Sequence, residues 1–147
     1  MTTTSAPDYG SYGAIRVDIG SGNDEGIARL TVDNGPINLF DRVLYPELAQ
    51  VSAQLADDDR VKVVILQSAN PSFFIAHFDV GAILRIPTDA PEPTAPTAFH
   101  EMCENFRTMP KATIAKIEGR VGGGGSELTP ELRHALRRAR PCGVQPA

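Results

Sequence analysis

The 147-residue chain is long enough for one domain and too short for two ordinary ones. With 41% hydrophobic and 22% charged residues it can bury a core, and no run of eighteen apolar residues offers a membrane span. The net charge of −4 is uneven: residues 1–129 are acidic, whereas residues 130–147 hold four Arg against one Glu. An acidic body argues against nucleic acid as a partner.

Residues 1–13 (MTTTSAPDYGSYG) have neither a basic start nor an apolar stretch and read as a flexible polar tail, not a secretory signal. Cys103 and Cys142 are too few for a disulfide framework and fit a reducing cytoplasm. Ala14–Ile19 and Ile27–Val32 alternate apolar and polar residues around the turn-rich SGNDEG, which predicts an antiparallel hairpin. DNGPIN, at 33–38, is a loop.

Leu44, Leu48, Val51 and Leu55 form one face of a helix over Asp41–Asp57, with Pro46 requiring a helix start or a kink nearby. RVKVVILQ, at 60–67, is a nearly continuous apolar run. It predicts a strand covered on both faces, hence a parallel or mixed sheet. FFIAHF, at 73–78, is a second apolar segment, and its His77 is expected to be packed or hydrogen-bonded. A short helix over Asp79–Arg85 and a proline-rich exposed loop over Ile86–Pro96 follow.

Phe99, Met102, Cys103 and Phe106 lie at helical spacing within Thr97–Met109, with the aromatics and Met102 expected in the core and His100 exposed. ATIAKI, at 112–117, is a strand that leads into GRVGGGGSEL. The alternation of strands and helices makes the class α/β.

The glycine run Gly122–Gly125 lets the backbone turn sharply ahead of a helix start, but it matches neither a phosphate-binding loop nor a nucleophile elbow. By itself it is a flexible loop or an anion-facing helix start. Glu127, just beyond, is a first-turn carboxylate favoured by the helix dipole or a general acid/base. The scattered His and Cys residues show no metal-ligand spacing.

Two segments in order, FFIAHFDVGAI and IEGRVGGGGSEL, together resemble the enoyl-CoA hydratase/isomerase (crotonase) family. IARLTVDNGPINLFD and LADDDRVKVVIL resemble the family's preceding passages, so the resemblance covers roughly Ile15 to Leu128. It implies the N-terminal ββα units of the crotonase-like spiral fold, incomplete: residues 14–128 form a partial domain and residues 129–147 a divergent basic tail.

The resemblance further implies an acyl-CoA thioester as substrate, with no prosthetic group and no metal. The backbone N–H groups of Phe78 and Gly124 would form an oxyanion hole for an enolate-like anion, and Glu127 would be the catalytic carboxylate. Full-length members form homotrimers or hexamers. The family's continuation beyond the glycine loop, including a second glutamate, has no counterpart here.

Plausible codons for 132–145, read one base later, spell a Cys-Asp-Met-Arg-Phe-Ala strand of the family's kind, so an out-of-frame tail is expected. The alternative for this stretch is a basic helix capped by Thr129, with Pro130 at its first position and Leu132, Leu136 and Ala139 on its apolar face. At the level of activity, the alternative is a catalytically inactive truncated member or an acyl-CoA- or protein-binding fragment.

Overall fold

The computed structural model describes residues 8–89, 91 and 94–138; Cys142 and the remainder of the basic end lie outside them. The predicted hairpin forms: β1 (Ile15–Ile19) pairs antiparallel with β2 (Ile27–Val32) in the register Ile15↔Val32. Beyond it, β3 (Val63–Ser68), β5 (Ala112–Ile117) and β7 (His134–Arg137) add parallel strands to give the order β1-β2-β3-β5-β7. A separate parallel pair joins β4 (Phe73–Ile75) to β6 (Arg120–Val121). The α/β reading therefore holds, with a mixed sheet.

Helix α1 (Leu44–Asp57) begins three residues later than its apolar spacing suggested. The Asp41 carboxylate accepts from the Val43 and Leu44 amides at 3.0 and 2.9 Å, satisfying donors that the first turn leaves without partners. Pro46 falls in that first turn, where its missing N–H costs nothing, so no kink is needed. Helix α3 (Ala98–Thr108) starts at a capping box between Thr97 and His100.

Leu44, Leu48, Val51 and Leu55 of α1 and Met102 and Phe106 of α3 are fully buried. They share the core with Ala28, Leu30, Val32, Val64, Leu66 and Ala115 of the sheet. Among the described residues no helix is long and apolar enough to cross a membrane.

One expectation and one alternative reading are corrected. On β3, Val64 and Leu66 are buried but Val63 and Ile65 are only half-buried, so cover is complete on one face alone. Their neighbours on the opposite face explain this: Ile65 lies beside Arg29, and Gln67 donates to Thr31 at 3.1 Å. The stretch after Leu128 is not a basic helix. Thr129–Glu131 make a single 3-10 turn, Leu132 enters the core in extended conformation, and β7 pairs with β5 from Ile114↔His134 to Ile117↔Arg137. Extended backbone sends Leu132 and Leu136 to different surroundings, the first buried and the second 62% exposed, so the helical apolar face never assembles.

Asp58, 3% exposed, ties the end of α1 to the chain's beginning. Its carboxylate accepts from the Tyr9 hydroxyl at 2.6 Å and from the Arg60 guanidinium at 2.7 Å, while the buried Lys111 ammonium donates to its carbonyl at 2.7 Å. The Arg60 hydrogen bonds, helped by Tyr9 and opposed by burial, hold the Asp58 carboxyl well below the usual range.

A carboxylate depressed in the folded state contributes stability above its unfolded pKa of about 3.9 and loses it as pH falls. Thermal melts are expected to show Tm dropping below about pH 4. Asp58→Asn, less stable at neutral pH, should show a shallower drop. Parallel acid profiles for the two proteins would remove Asp58 from this role.

Candidate active site

The segment after β2 and the segment after β4 run side by side. Ala76 donates to the Ile37 carbonyl at 3.1 Å, Phe40 to the His77 carbonyl at 3.0 Å, and Asp79 to the Phe40 carbonyl at 2.8 Å. Asn38 fixes the first of these segments. It sits in the left-handed region at φ 51, tolerable for asparagine, and is fully buried. Its amide nitrogen donates to Ser68 Oγ at 2.8 Å and to the Phe74 carbonyl at 3.0 Å, and its side-chain oxygen accepts from the Asn34 amide at 2.8 Å. Sequence reasoning placed Asn38 in a loop and assigned it no task, although a turn asparagine beside Gly35 and Pro36 was the available signal.

The glycine run reaches the same place from the other side. Gly122 donates to the Ile75 carbonyl at 3.1 Å, which docks the end of β6 against β4. Gly123 has φ 47 and ψ −128, outside the regions open to other residues, and a side chain there would begin 3.1 Å from His77 Cβ and 3.5 Å from the Phe78 nitrogen. The two backbones therefore approach closely at His77–Phe78 and Gly123, although Phe78 and Gly123 are 45 positions apart in the chain. Helix α4 (Gly124–Leu128) starts at the next residue.

Helix α4 leaves one donor free at its start. Gly125 and Ser126 donate to the Gly122 and Gly123 carbonyls at 3.0 and 2.8 Å, and Glu127 donates to Gly123 at 3.1 Å. Among the described residues, the N–H groups of Phe78 and Gly124 donate to no backbone or side-chain acceptor.

Phe78, Gly124 and Glu127, the three residues singled out from the sequence, all line one open groove of about 270 Å3, together with Ile83, Ile86 and Phe99. Short helix α2 (Val80–Ile83) supplies Ile83; Asp79 is its N-cap, and the helix ends two residues before the expected Arg85. Glu127 is exposed in the first turn of α4 and, among the described residues, is the one carboxylate on the groove wall.

The Phe78 ring is held by three aromatic neighbours: Phe40 at 6.4 Å and Tyr45 at 5.9 Å, both stacked, and Phe99 edge-on at 6.0 Å. Phe40, fully buried, and Phe99, half-buried, also meet edge-on at 5.6 Å. Phe99 therefore serves the groove wall as well as the core. A second hollow of about 170 Å3 is lined by Arg42, Tyr45, Phe78, Ala82 and Ile86 and shares Phe78 and Ile86 with the first.

The remaining candidates stay outside this chemistry. His77 is hydrogen-bonded, with Nδ1 2.7 Å from the Phe78 carbonyl oxygen, but it is exposed and lies beyond the strand that was expected to pack it. His100 is exposed and spent on the α3 cap. Burial, reinforced by the Glu131 and Glu127 carboxylates, pushes the Cys103 thiol up to about 11, so it is no nucleophile at neutral pH. Among the described residues no group of three His, Cys, Asp or Glu could hold a metal ion.

Comparison with known proteins matches residues 22–130 to the enoyl-CoA hydratase/isomerase sequence profile. A peroxisomal fatty acid beta-oxidation multifunctional protein of rice (Oryza sativa subsp. japonica) is 31% identical over 80% of the chain, which spans 16% of that protein. Carnitinyl-CoA dehydratase of Escherichia coli is 31% identical over 69% of the chain and 38% of its own length. The crystal structure of an enoyl-CoA hydratase/carnithine racemase from Magnetospirillum magneticum superposes with a TM-score of 0.76 at 23% identity. That superposition, over 86% of this chain and 47% of that one, establishes a shared crotonase fold. The chain spans less than half the length of each of these three proteins.

Proposed function

The chain belongs to the enoyl-CoA hydratase/isomerase family, and from that premise we propose that the groove beside Phe78 binds the thioester of an acyl-CoA, whose carbonyl oxygen accepts from the Phe78 and Gly124 N–H groups. The observation that supports this reading is that Phe78 and Gly124, whose N–H groups donate to no acceptor among the described residues, line one apolar groove with Glu127. Donors fixed by the backbone need no reorganisation as negative charge builds on the oxygen, so they favour the enolate-like anion over the neutral thioester. Phe78 contributes through its backbone, leaving its ring to wall the acyl group together with Ile83, Ile86 and Phe99.

Glu127 supplies the proton chemistry. In hydration of an α,β-unsaturated thioester, its carboxylate takes a proton from water as the water oxygen bonds to the β-carbon. The displaced electron pair moves onto the thioester oxygen held by the two amides. Collapse of that anion draws the proton from Glu127 to the α-carbon. No redox group is required, because the elements of water are added without net oxidation. Two cysteines and no disulfide framework suit work in a reducing cytoplasm, and a trimeric or hexameric assembly follows the family pattern.

Hydration of crotonyl-CoA by the full chain tests the reading. Glu127→Gln keeps the shape of the side chain and removes its proton acceptor, so kcat should fall by about 100- to 10,000-fold with little change in KM. Unchanged turnover in that variant would exclude Glu127.

A second reading, an acyl-CoA-binding protein without turnover, is favoured by the groove wall's holding a single carboxylate among the described residues. Titration calorimetry separates the two: heat on adding crotonyl-CoA with no hydrated product selects the binding role.

A further inference from the structure

A hollow of about 500 Å3, larger than either groove beside Phe78, lies at the other end of the segment that leads into the glycine run. It is lined by the turn after β5, from Ile117 to Val121, and by Arg137 and Arg138 at the end of β7. The backbone holds these pieces together. Arg138 donates to the Ile117 carbonyl at 3.0 Å, and Arg120 donates to the Ser72 carbonyl at 2.8 Å.

Three arginines thus line the hollow with one acidic residue, Glu118, whose carboxylate is engaged by Lys116 at 3.1 Å. Among the described residues, Arg120, Arg137 and Arg138, like Arg42 and Arg133, have no carboxylate within ion-pair distance, whereas Arg16, Arg29, Arg60, Arg85 and Arg107 each have at least one.

We propose that Arg120, Arg137 and Arg138 form a binding site for a small molecule carrying two or more phosphate groups. The hollow is too large for one inorganic ion, and planar guanidinium forks match phosphate oxygens two at a time. Its place fits as well: β5 and β7 are adjacent parallel strands, and ligands of open parallel sheets bind beyond the carboxyl ends of the strands. A long polyanion is disfavoured, because the body surrounding this patch is acidic and the chain carries −4 overall.

The same phosphate chemistry has two sources. One is the phosphorylated nucleotide end of the coenzyme A proposed for the Phe78 groove, a version that rests on the proposed function. The other is a free nucleoside diphosphate.

Titration calorimetry of the full chain with pyrophosphate, ADP and coenzyme A at low ionic strength tests the site. Pyrophosphate should bind, and added salt should weaken it because the arginines are exposed. Arg120→Ala and Arg137→Ala should each weaken it about tenfold. Arg16→Ala, whose exposed partner is Asp33, should leave it unchanged. Displacement of pyrophosphate by coenzyme A assigns the site to the thioester's nucleotide end; displacement by ADP alone assigns it to a free nucleotide.

Absence of pyrophosphate binding, or equal affinity in wild type and both arginine variants, overturns the proposal. Crotonyl-CoA turnover is read separately. Lost anion binding with intact turnover ends this site and spares the Phe78 groove, and the reverse result does the opposite.

Discussion

Gly124→Pro should lower kcat for crotonyl-CoA hydration by about 100- to 1,000-fold, the cost of removing one donor from an oxyanion hole. Proline has no N–H, and position 124 opens α4, a place where the ring is otherwise tolerated. The substitution also adds bulk. A Cβ at 124 would begin 2.9 Å from Phe40 Cδ2, and Phe40 is fully buried, so the ring must yield by a few tenths of an ångström.

Gly124→Ala carries much of that crowding and keeps the N–H. The comparison of the two variants isolates the hydrogen bond. The alanine variant should retain most of its kcat, with any cost in KM, while the proline variant loses kcat. Equal losses in both would show that crowding against Phe40 governs the effect and would remove Gly124 from the oxyanion role.

The local elements were legible because they follow short-range rules. β5 spans the predicted Ala112–Ile117, the β1–β2 hairpin forms around its turn-rich loop, and α3 stops where Pro110 forbids continuation. The family resemblance then named Phe78, Gly124 and Glu127, and the fold brings all three to one groove.

What periodicity could not reach was pairing across long separations. β4 and β6 form their own small sheet, and the close approach of Gly123 to His77–Phe78 depends on that sheet. At the C-terminal end the alternative of a basic helix fails. Leu132 and Leu136 have helical spacing, but β5 offers a free parallel edge, and HALR satisfies its own backbone groups there as β7. The phosphate hollow was equally hidden, since its arginines come from two stretches that become neighbours only through that strand pairing.

Phe40→Ala should be the most damaging of the core truncations near the site, destabilising the fold by about 3–5 kcal/mol. Its ring is fully buried and touches three parts of the groove at once: it stacks on Phe78, meets Phe99 edge-on and fills the space that Gly124 leaves open. Its backbone is pinned at both ends, donating to His77 and accepting from Asp79, so it cannot slide into the void that alanine would leave. The cavity therefore persists, and the cost includes lost packing as well as lost burial.

Phe40→Leu fills part of the space and should cost less than half as much. Urea unfolding with equal slopes for the three proteins checks the ordering. A loss below about 1 kcal/mol in the alanine variant would mean that the aromatic cluster rearranges around the gap. Such collapse would draw Phe78 and Gly124 out of their present relation, so the groove would be lost while the fold survived.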